Sequence, residues 1–403
     1  MQWSKYNSFW IKDDCLYIYN SIHNKLAIID NTTTINENSD INELTEQGFL
    51  VDNPALENDL AHQSIRQKLH TSDEFSCWIF ITNDCNLACP YCFEKDTFLN
   101  KEIKYLDEES CIQVVSWILN KAREKNVQKI HISITGGEPL LNQHAITTIA
   151  QHLLDTEFEV SINIITNGVL LTQNVMEKLF NLGISSYQIT LDGTSRLHDA
   201  RRFFKDGKGT FSVIIQNIIN ILRLNTDIQF VIRINIDKQN CEETDNLLLF
   251  LKKIHFEKSV IICINDTITQ GPCNSSSMLE KNTELIAKAI DYGFKIAFGE
   301  LNNCWMMSEF WYMIDVDGSL YKCPSLVGDK KYQVGSIFSD DMLPQHQQQT
   351  ALKPWEDCMN CELVGLCSGG CPYRSLLNKG DWNTNKVCRK NYLKSLLELK
   401  YSN

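Results

Sequence analysis

A chain of 403 residues, 43% of them apolar, can bury one large core with appendages or two to three modest ones, which excludes a single small binding module. Its formal net charge of −12 is spread without a block of like charges, which excludes nucleic acid as a partner. Residues 1–14 lack the stages of a signal peptide and no later stretch is apolar enough to span a bilayer, so a cytoplasmic protein with no membrane partner is expected.

The first stretch, 1–72, reads as a small β-rich unit. Strand-like runs cover Ser8–Ile11, Leu16–Tyr19 and Leu26–Asp30, and a helix is expected near Asn42–Phe49. The polar run Asn53–Asp73 reads as a helical or loose linker. From 73 to 268 apolar strands alternate with amphipathic helices, the pattern of a parallel sheet built from βαβ units. The six expected strands are Trp78–Thr82, His131–Thr135, Ser161–Ile165, Tyr187–Leu191, Gln229–Ile236 and Val260–Ile264. Between the first two, Cys111, Val114, Val115, Ile118 and Ala122 share one helical face, with Asp107 placed as N-cap, so Cys111 reads as core. The expected fold class is therefore α/β, a partial (β/α)6 TIM-like barrel with its chemistry on the loops after the strands. From 269 to 403 the pattern changes to a helix over Ser277–Tyr292, a hairpin turning at Asp317–Gly318, and loop-rich, cysteine-dense sequence.

Sixteen cysteines in a reducing compartment are poor disulfide formers, and ten of them fall into patterned groups, which points to metal. Cys85, Cys89 and Cys92 form CxxxCxxC directly after the first strand. Three thiolates on one loop suit three irons of a cubane cluster and leave the fourth iron open. Structural zinc wants four ligands, and no fourth lies nearby in sequence. Cys15, Cys77, Cys241 and Cys263 stand outside the groups and are expected to be small buried apolar residues.

With this loop, the aromatic Tyr91 before its last cysteine, and Thr135-Gly-Gly-Glu-Pro139 after the second strand, the chain resembles the radical SAM superfamily. The resemblance implies a [4Fe-4S] cluster on Cys85, Cys89 and Cys92 that reductively cleaves S-adenosylmethionine (SAM), making these the catalytic cysteines. It also implies that the turn of Gly136, Gly137 and Glu138 receives the methionine end of SAM, the glycines allowing close backbone approach and Glu138 complementing the ammonium. Softer matches extend the SAM contacts to Tyr91, Thr190, Arg202 and Asn235. Thr166-Asn-Gly168 and Asp192-Gly193 also make sense as plain turns.

Further on, Cys304, Gly318 and Cys323 follow the spacing C-x13-G-x4-C, and Cys358, Cys361, Cys367 and Cys371 follow C-x2-C-x5-C-x3-C, with Cys388 last. This resembles the SPASM domain of radical SAM enzymes, which holds two auxiliary four-iron clusters. The resemblance implies one cluster on Cys358, Cys361, Cys367 and Cys388, and another on Cys304, Cys323 and Cys371. The second set is one short: some relatives place a cysteine six positions past the first, where this chain has Phe310. Either a residue such as Cys273 completes it or an iron stays open. A zinc ribbon on Cys358, Cys361, Cys367 and Cys371 is the alternative, and it leaves the flanking cysteines unexplained.

Three [4Fe-4S] clusters, SAM and a flavodoxin- or ferredoxin-type electron donor are thus expected. SPASM enzymes largely modify peptides and proteins, so the resemblance implies a maturase that cross-links a ribosomally made precursor peptide, aromatic ring to Cβ first and thioether next. The 1–72 unit is then either a leader-recognition module or a plain extension. Two other readings stay open: a sulfatase maturase forming formylglycine, and a non-catalytic iron–sulfur sensor or scaffold. Against the first, Pro324 follows Cys323 where those relatives carry an Asp as proton acceptor. Against the second stand the GGEP turn and the open-iron loop.

Overall fold

The computed structural model describes residues 1–30, 39–92, 102–224, 227–266, 276–299, 301, 304–382 and 388–402. They divide into two units: one made of 1–71, 298–308 and 351–403, the other of 72–297 and 309–350. Among the described residues no helix is long and apolar enough to cross a membrane.

In the first unit, β1 (Gln2–Trp3) pairs with β5 (Leu50–Val51), and β2 (Asn7–Lys12), β3 (Cys15–Asn20) and β4 (Lys25–Asp30) form an antiparallel meander. Between β4 and β5 lies α1 (Ser39–Glu46). The polar run after β5 is mostly helix: α2 (Glu57–His70) buries Ala61, Ile65 and Leu69, a four-residue spacing that makes one apolar stripe in an otherwise polar sequence. Cys15 departs from expectation. It is half-buried, because its cross-strand neighbours at the open end of the meander are the polar Lys12 and Asp30.

The meander does not stand apart from the cysteine-rich C-terminal segment. Trp10 Nε1 donates to Ser402 Oγ (2.7 Å), Tyr19 stacks on Tyr401 (5.9 Å between centroids), and Tyr6 Oη donates to Met359 O (2.9 Å). Lys68 Nζ of α2 donates to the carbonyls of Ser21 and Gly365, both at 3.1 Å. Gly365 packs so closely that a Cβ there would stand 2.4 Å from Ser21 O. The N-terminal stretch therefore shares its hydrogen bonds and its core with the loop that carries Cys358, Cys361 and Cys367.

In the second unit, β6 (Glu74–Phe80), β7 (Lys129–Thr135), β8 (Glu159–Thr166), β9 (Ser186–Thr190), β10 (Gln229–Ile236) and β11 (Val260–Asp266) lie side by side, parallel and in chain order. This is the consecutive order of a partial (β/α)6 barrel. The sheet runs further than the six strands: β12 (Lys295–Ile296) extends one edge, and β13 (Trp311–Ile314), β14 (Ser319–Tyr321) and β15 (Gly335–Ser336) extend the other. β13 and β14 are the hairpin expected at Asp317–Gly318, where Gly318 has φ +76°.

Period-two burial sets the faces. On β10, Phe230, Ile232, Ile234 and Ile236 are buried under helices, whereas Val231, Arg233 and Asn235 on the opposite face are half-buried. Each buried aliphatic side chain stabilises the layer by about 1.5–3 kcal/mol. The helix α3 (Glu108–Glu124) buries Cys111, Val114, Val115, Ile118 and Ala122, and Asp107 Oδ1 caps it by accepting from Ser110 N at 2.8 Å. Because β6–β11 run parallel, the loops after them share one end of the sheet.

Candidate active site

The cysteine loop follows β6. Cys85 and Cys89 are half-buried and Cys92 is exposed. Burial, opposed by the Leu87 N–H and reinforced by negative charge at Glu138, Cys89 and Cys92, pushes the Cys85 thiol up to about 12. A sulfur whose ionisation is penalised by burial and by two further sulfurs of its own loop belongs to a donor set that calls for positive charge, which fits a cluster of irons. No three His, Cys, Asp or Glu among the described residues stand close enough to hold a single metal ion.

Backbone and side chains from the next loops fix this one. Gly137 N donates to Thr82 O (2.9 Å) and Glu138 N to Asp84 O (2.8 Å). A Cβ at Gly136 would stand 2.3 Å from Thr82 O, and one at Gly137 would stand 2.2 Å from Asp84 O. The glycines thus let the turn approach the backbone leading into the cysteine loop. Asp84 accepts from Cys85 N (2.8 Å), Tyr105 Oη (2.7 Å) and Lys205 Nζ (3.2 Å).

Glu138 belongs to the same fastening. Its carboxylate is fully buried: Oε1 accepts from Leu140 N (3.0 Å) and Thr166 Oγ1 (2.6 Å), and Oε2 accepts from Asn167 N (2.7 Å). Burial drives its pKa up against these donors and against Arg202. In this structure Glu138 ties the ends of β7 and β8 together and presents no free carboxylate. Asn167 completes the tie, its Nδ2 donating to Asn86 Oδ1 in the cysteine loop at 2.7 Å. The Thr166-Asn-Gly168 segment is therefore both a turn and a fastening.

On the other side, the Tyr91 hydroxyl donates to the Asp192 carboxylate and accepts from Arg202 Nη1 (2.7 Å). Arg201 lies over the Tyr91 ring (4.6 Å to the centroid) and forks onto Asp237 through Nη1 (3.2 Å) and Nη2 (2.8 Å). Tyr91 and Arg202 are thereby brought together. The roles of Asp192, Arg201 and Asp237 were not singled out from sequence; Asp192 was read there only as part of a turn. Thr190 and Asn235 lie on the adjacent strands β9 and β10. There Thr190 is in register with Arg233, and Arg233 Nε donates to Asn235 Oδ1 (3.0 Å). Arg233 Nη1 also reaches Cys263 Sγ on β11 (3.6 Å).

α4 (Gln143–Leu154) and α5 (Gln173–Phe180) follow β7 and β8, and after β9 the short helix α6 (Ser195–Arg201) carries His198, which is fully buried. Its Nδ1 accepts from Asp192 N (3.3 Å), and Nε2 lies 3.0 Å from Thr210 Oγ1, which itself donates to Arg202 O (2.7 Å). This is the neutral Nε2–H tautomer, and burial, with Arg202 and Arg201 adding, depresses its pKa to about 3. The unfolded imidazole takes a proton near 6.5 and the folded one does not, so stability falls as pH drops below 6.5, by about 1.4 kcal/mol per pH unit. In urea unfolding at pH 7.5, 6.0 and 5.0, His198→Gln is expected to reduce the wild-type slope by about 1.4 kcal/mol per pH unit below 6.5, the remainder coming from His23, His131 and His346, whose pKa values are also lowered; equal slopes in both proteins contradict this account.

In the other unit, burial and the charges of Cys358, Cys361 and Cys388 push the Cys367 thiol up to about 11, and Cys388 also acts on Cys361. These four are electrostatic neighbours. Cys304 and Cys371 are half-buried in the same unit, Cys323 is half-buried in the barrel unit, and Cys273 lies outside the described residues.

The family model described as Radical SAM superfamily matches residues 79–251. The radical SAM cyclopropyl synthase TigE of Paramaledivibacter caminithermalis is 22% identical, over 87% of this chain and 79% of its own length. A cysteine-type anaerobic sulfatase-maturating enzyme of Clostridium novyi is 26% identical, over 72% of this chain and 85% of its own length. A solved structure described as native anSMEcpe with bound AdoMet has a TM-score of 0.61 at 20% identity, covering 81% of this chain and 96% of that one. At that identity the likeness speaks for the fold, an α/β arrangement around a mostly parallel sheet.

Proposed function

We propose, from the premise that residues 79–251 form a radical SAM domain, that this protein is a maturase oxidising a ribosomally made precursor peptide. The observation that carries the reading is the three-thiol loop of Cys85, Cys89 and Cys92, fastened to the ends of β7, β8 and β9. A [4Fe-4S] cluster there, with SAM, supplies a 5′-deoxyadenosyl radical able to take a hydrogen atom from an unactivated C–H bond. The chain's own residues hold the cysteine loop, line the face of the sheet with Thr190, Arg233 and Asn235, and keep the loop's underside dry.

Closing a cross-link removes two hydrogens from the peptide. One would leave as a hydrogen atom and the other as a proton and an electron, and a cluster held by the C-terminal cysteines would supply the acceptor for that electron. The four neighbouring cysteines Cys358, Cys361, Cys367 and Cys388 support one such cluster, and Cys304, Cys323 and Cys371 are assigned to the second. TigE, by its name, closes a carbon ring, which favours C–C bond formation, with aromatic ring to Cβ as the first form and a thioether as the second. The precursor's leader is assigned to the open edge of the β2–β4 meander as an added strand, and the electron donor to a flavodoxin- or ferredoxin-type protein.

The sulfatase-maturing reading is favoured by the Clostridium novyi relative but lacks the Asp after the second SPASM cysteine, where Pro324 stands. The test is anaerobic incubation of the reduced, cluster-loaded protein with SAM and candidate precursor peptides. The expected products are 5′-deoxyadenosine and a peptide lighter by two hydrogens. Absence of 5′-deoxyadenosine sinks the enzyme reading, and an aldehyde at a Ser or Cys residue transfers it to formylglycine formation.

A further inference from the structure

Beside the cysteine loop, three buried polar atoms have no hydrogen-bond partner among the described residues: Asp192 Oδ1, Arg201 Nε and Arg202 Nε. Asp192 is fully buried and Arg201 is 4% exposed, so water screens neither. An incompletely paired charge in a low-dielectric site projects its field onto its neighbours. The Arg202 and Asp192 side chains both meet the cysteine loop at Tyr91, which stands two residues after Cys89 and one before Cys92 and whose hydroxyl bonds to each of them. Arg201 is largely offset, its guanidinium being forked onto Asp237, and its Nε lies 3.6 Å from Asp192 Oδ2, so Asp192 is partly offset as well. What remains is an uneven pair, Arg202 and Asp192, held apart by one hydroxyl, that of Tyr91.

We propose that Arg202 and Asp192, linked through Tyr91, are positioning residues that set the reduction potential of the cluster held at Cys85, Cys89 and Cys92, Arg202 raising it and Asp192 lowering it. The step is a one-electron reduction by an external low-potential donor, with no bond made or broken. The reduced cluster carries one more negative charge, which a fixed cation stabilises and a fixed anion opposes. Tyr91 keeps the two charges from collapsing into a direct ion pair, so both retain their leverage. The inference rests on the radical SAM domain and is independent of the peptide reading.

The test is a mediator-coupled redox titration of the cluster-loaded full chain, followed by electron paramagnetic resonance. The barrel cluster's signal is identified as the component absent from Cys89→Ala. Arg202→Gln is expected to lower its midpoint and Asp192→Asn to raise it, each by at least a tenfold change in the reduction equilibrium, about 59 mV for one electron. Arg202→Lys, which keeps the charge, is expected to stay near the wild-type value. A purely structural role moves both midpoints the same way or neither, and either result overturns the proposal. Should Asp192→Asn fail to fold, equal midpoints in the Arg202→Gln and Arg202→Lys proteins overturn it alone.

Discussion

Cys89→Ala is expected to abolish 5′-deoxyadenosine formation from SAM and to lower iron content by roughly four per chain, without unfolding the barrel unit. Three thiolates are the minimum that holds a cubane cluster with one iron open, and the loop offers no fourth in sequence. Cys89 is half-buried and its neighbours are fastened independently, Ala88 N to Phe203 O at 2.9 Å and Asn86 to Asn167 at 2.7 Å, so losing one sulfur leaves the loop's path intact. Iron analysis, far-ultraviolet circular dichroism and chromatography of the nucleoside products check the three parts separately. Retained iron with retained nucleoside formation removes Cys89 from the ligand set.

The second large effect is expected at Glu138. Its two oxygens take three hydrogen bonds in a site closed to water, all from groups that donate there: Leu140 N, Asn167 N and the Thr166 hydroxyl. Glu138→Gln preserves shape but turns an NH2 group toward at least one of those donors, leaving both unpaired. The expected cost is about 2–4 kcal/mol of unfolding free energy. Denaturant unfolding of the cluster-free chain measures it. A cost under about 0.5 kcal/mol would show that the β7–β8 tie does not depend on the carboxylate.

The strands were legible because apolar runs bounded by turn residues are what a two-sided buried sheet demands. Gln229–Ile236 is the same in both readings, whereas the first strand starts earlier than expected, at Glu74, because Phe75 and Cys77 are buried in a segment whose polar neighbours hide them. The helix over Glu57–His70 was half hidden for the same reason, three small or aliphatic residues being a weak stripe in a charged run. The cysteine spacing was legible because metal ligation tolerates few alternatives. The contacts by which Gly136, Gly137 and Glu138 fasten the neighbouring loops were not, since a glycine that admits another loop carries no mark of it in sequence. Asp192 and Asn167 were hidden by the same ambiguity: a residue suited to a turn carries no mark of what its side chain will fasten.

The hydrogen bond between Trp10 and Ser402 joins residues 392 positions apart, and the one between Gly365 N and Ser21 Oγ spans 344. During synthesis the first 71 residues therefore emerge long before their partners in 351–403, while most of the barrel segment, 72–297, is available to fold in between. Until residues 390–402 leave the ribosome, Trp10 and Tyr19 lack Ser402 and Tyr401, and closing so long a loop is slow. The loop that carries Cys358, Cys361 and Cys367 is then completed only after the barrel segment has been made. A cell short of chaperone capacity should accumulate chains with a formed barrel and an unfinished second unit.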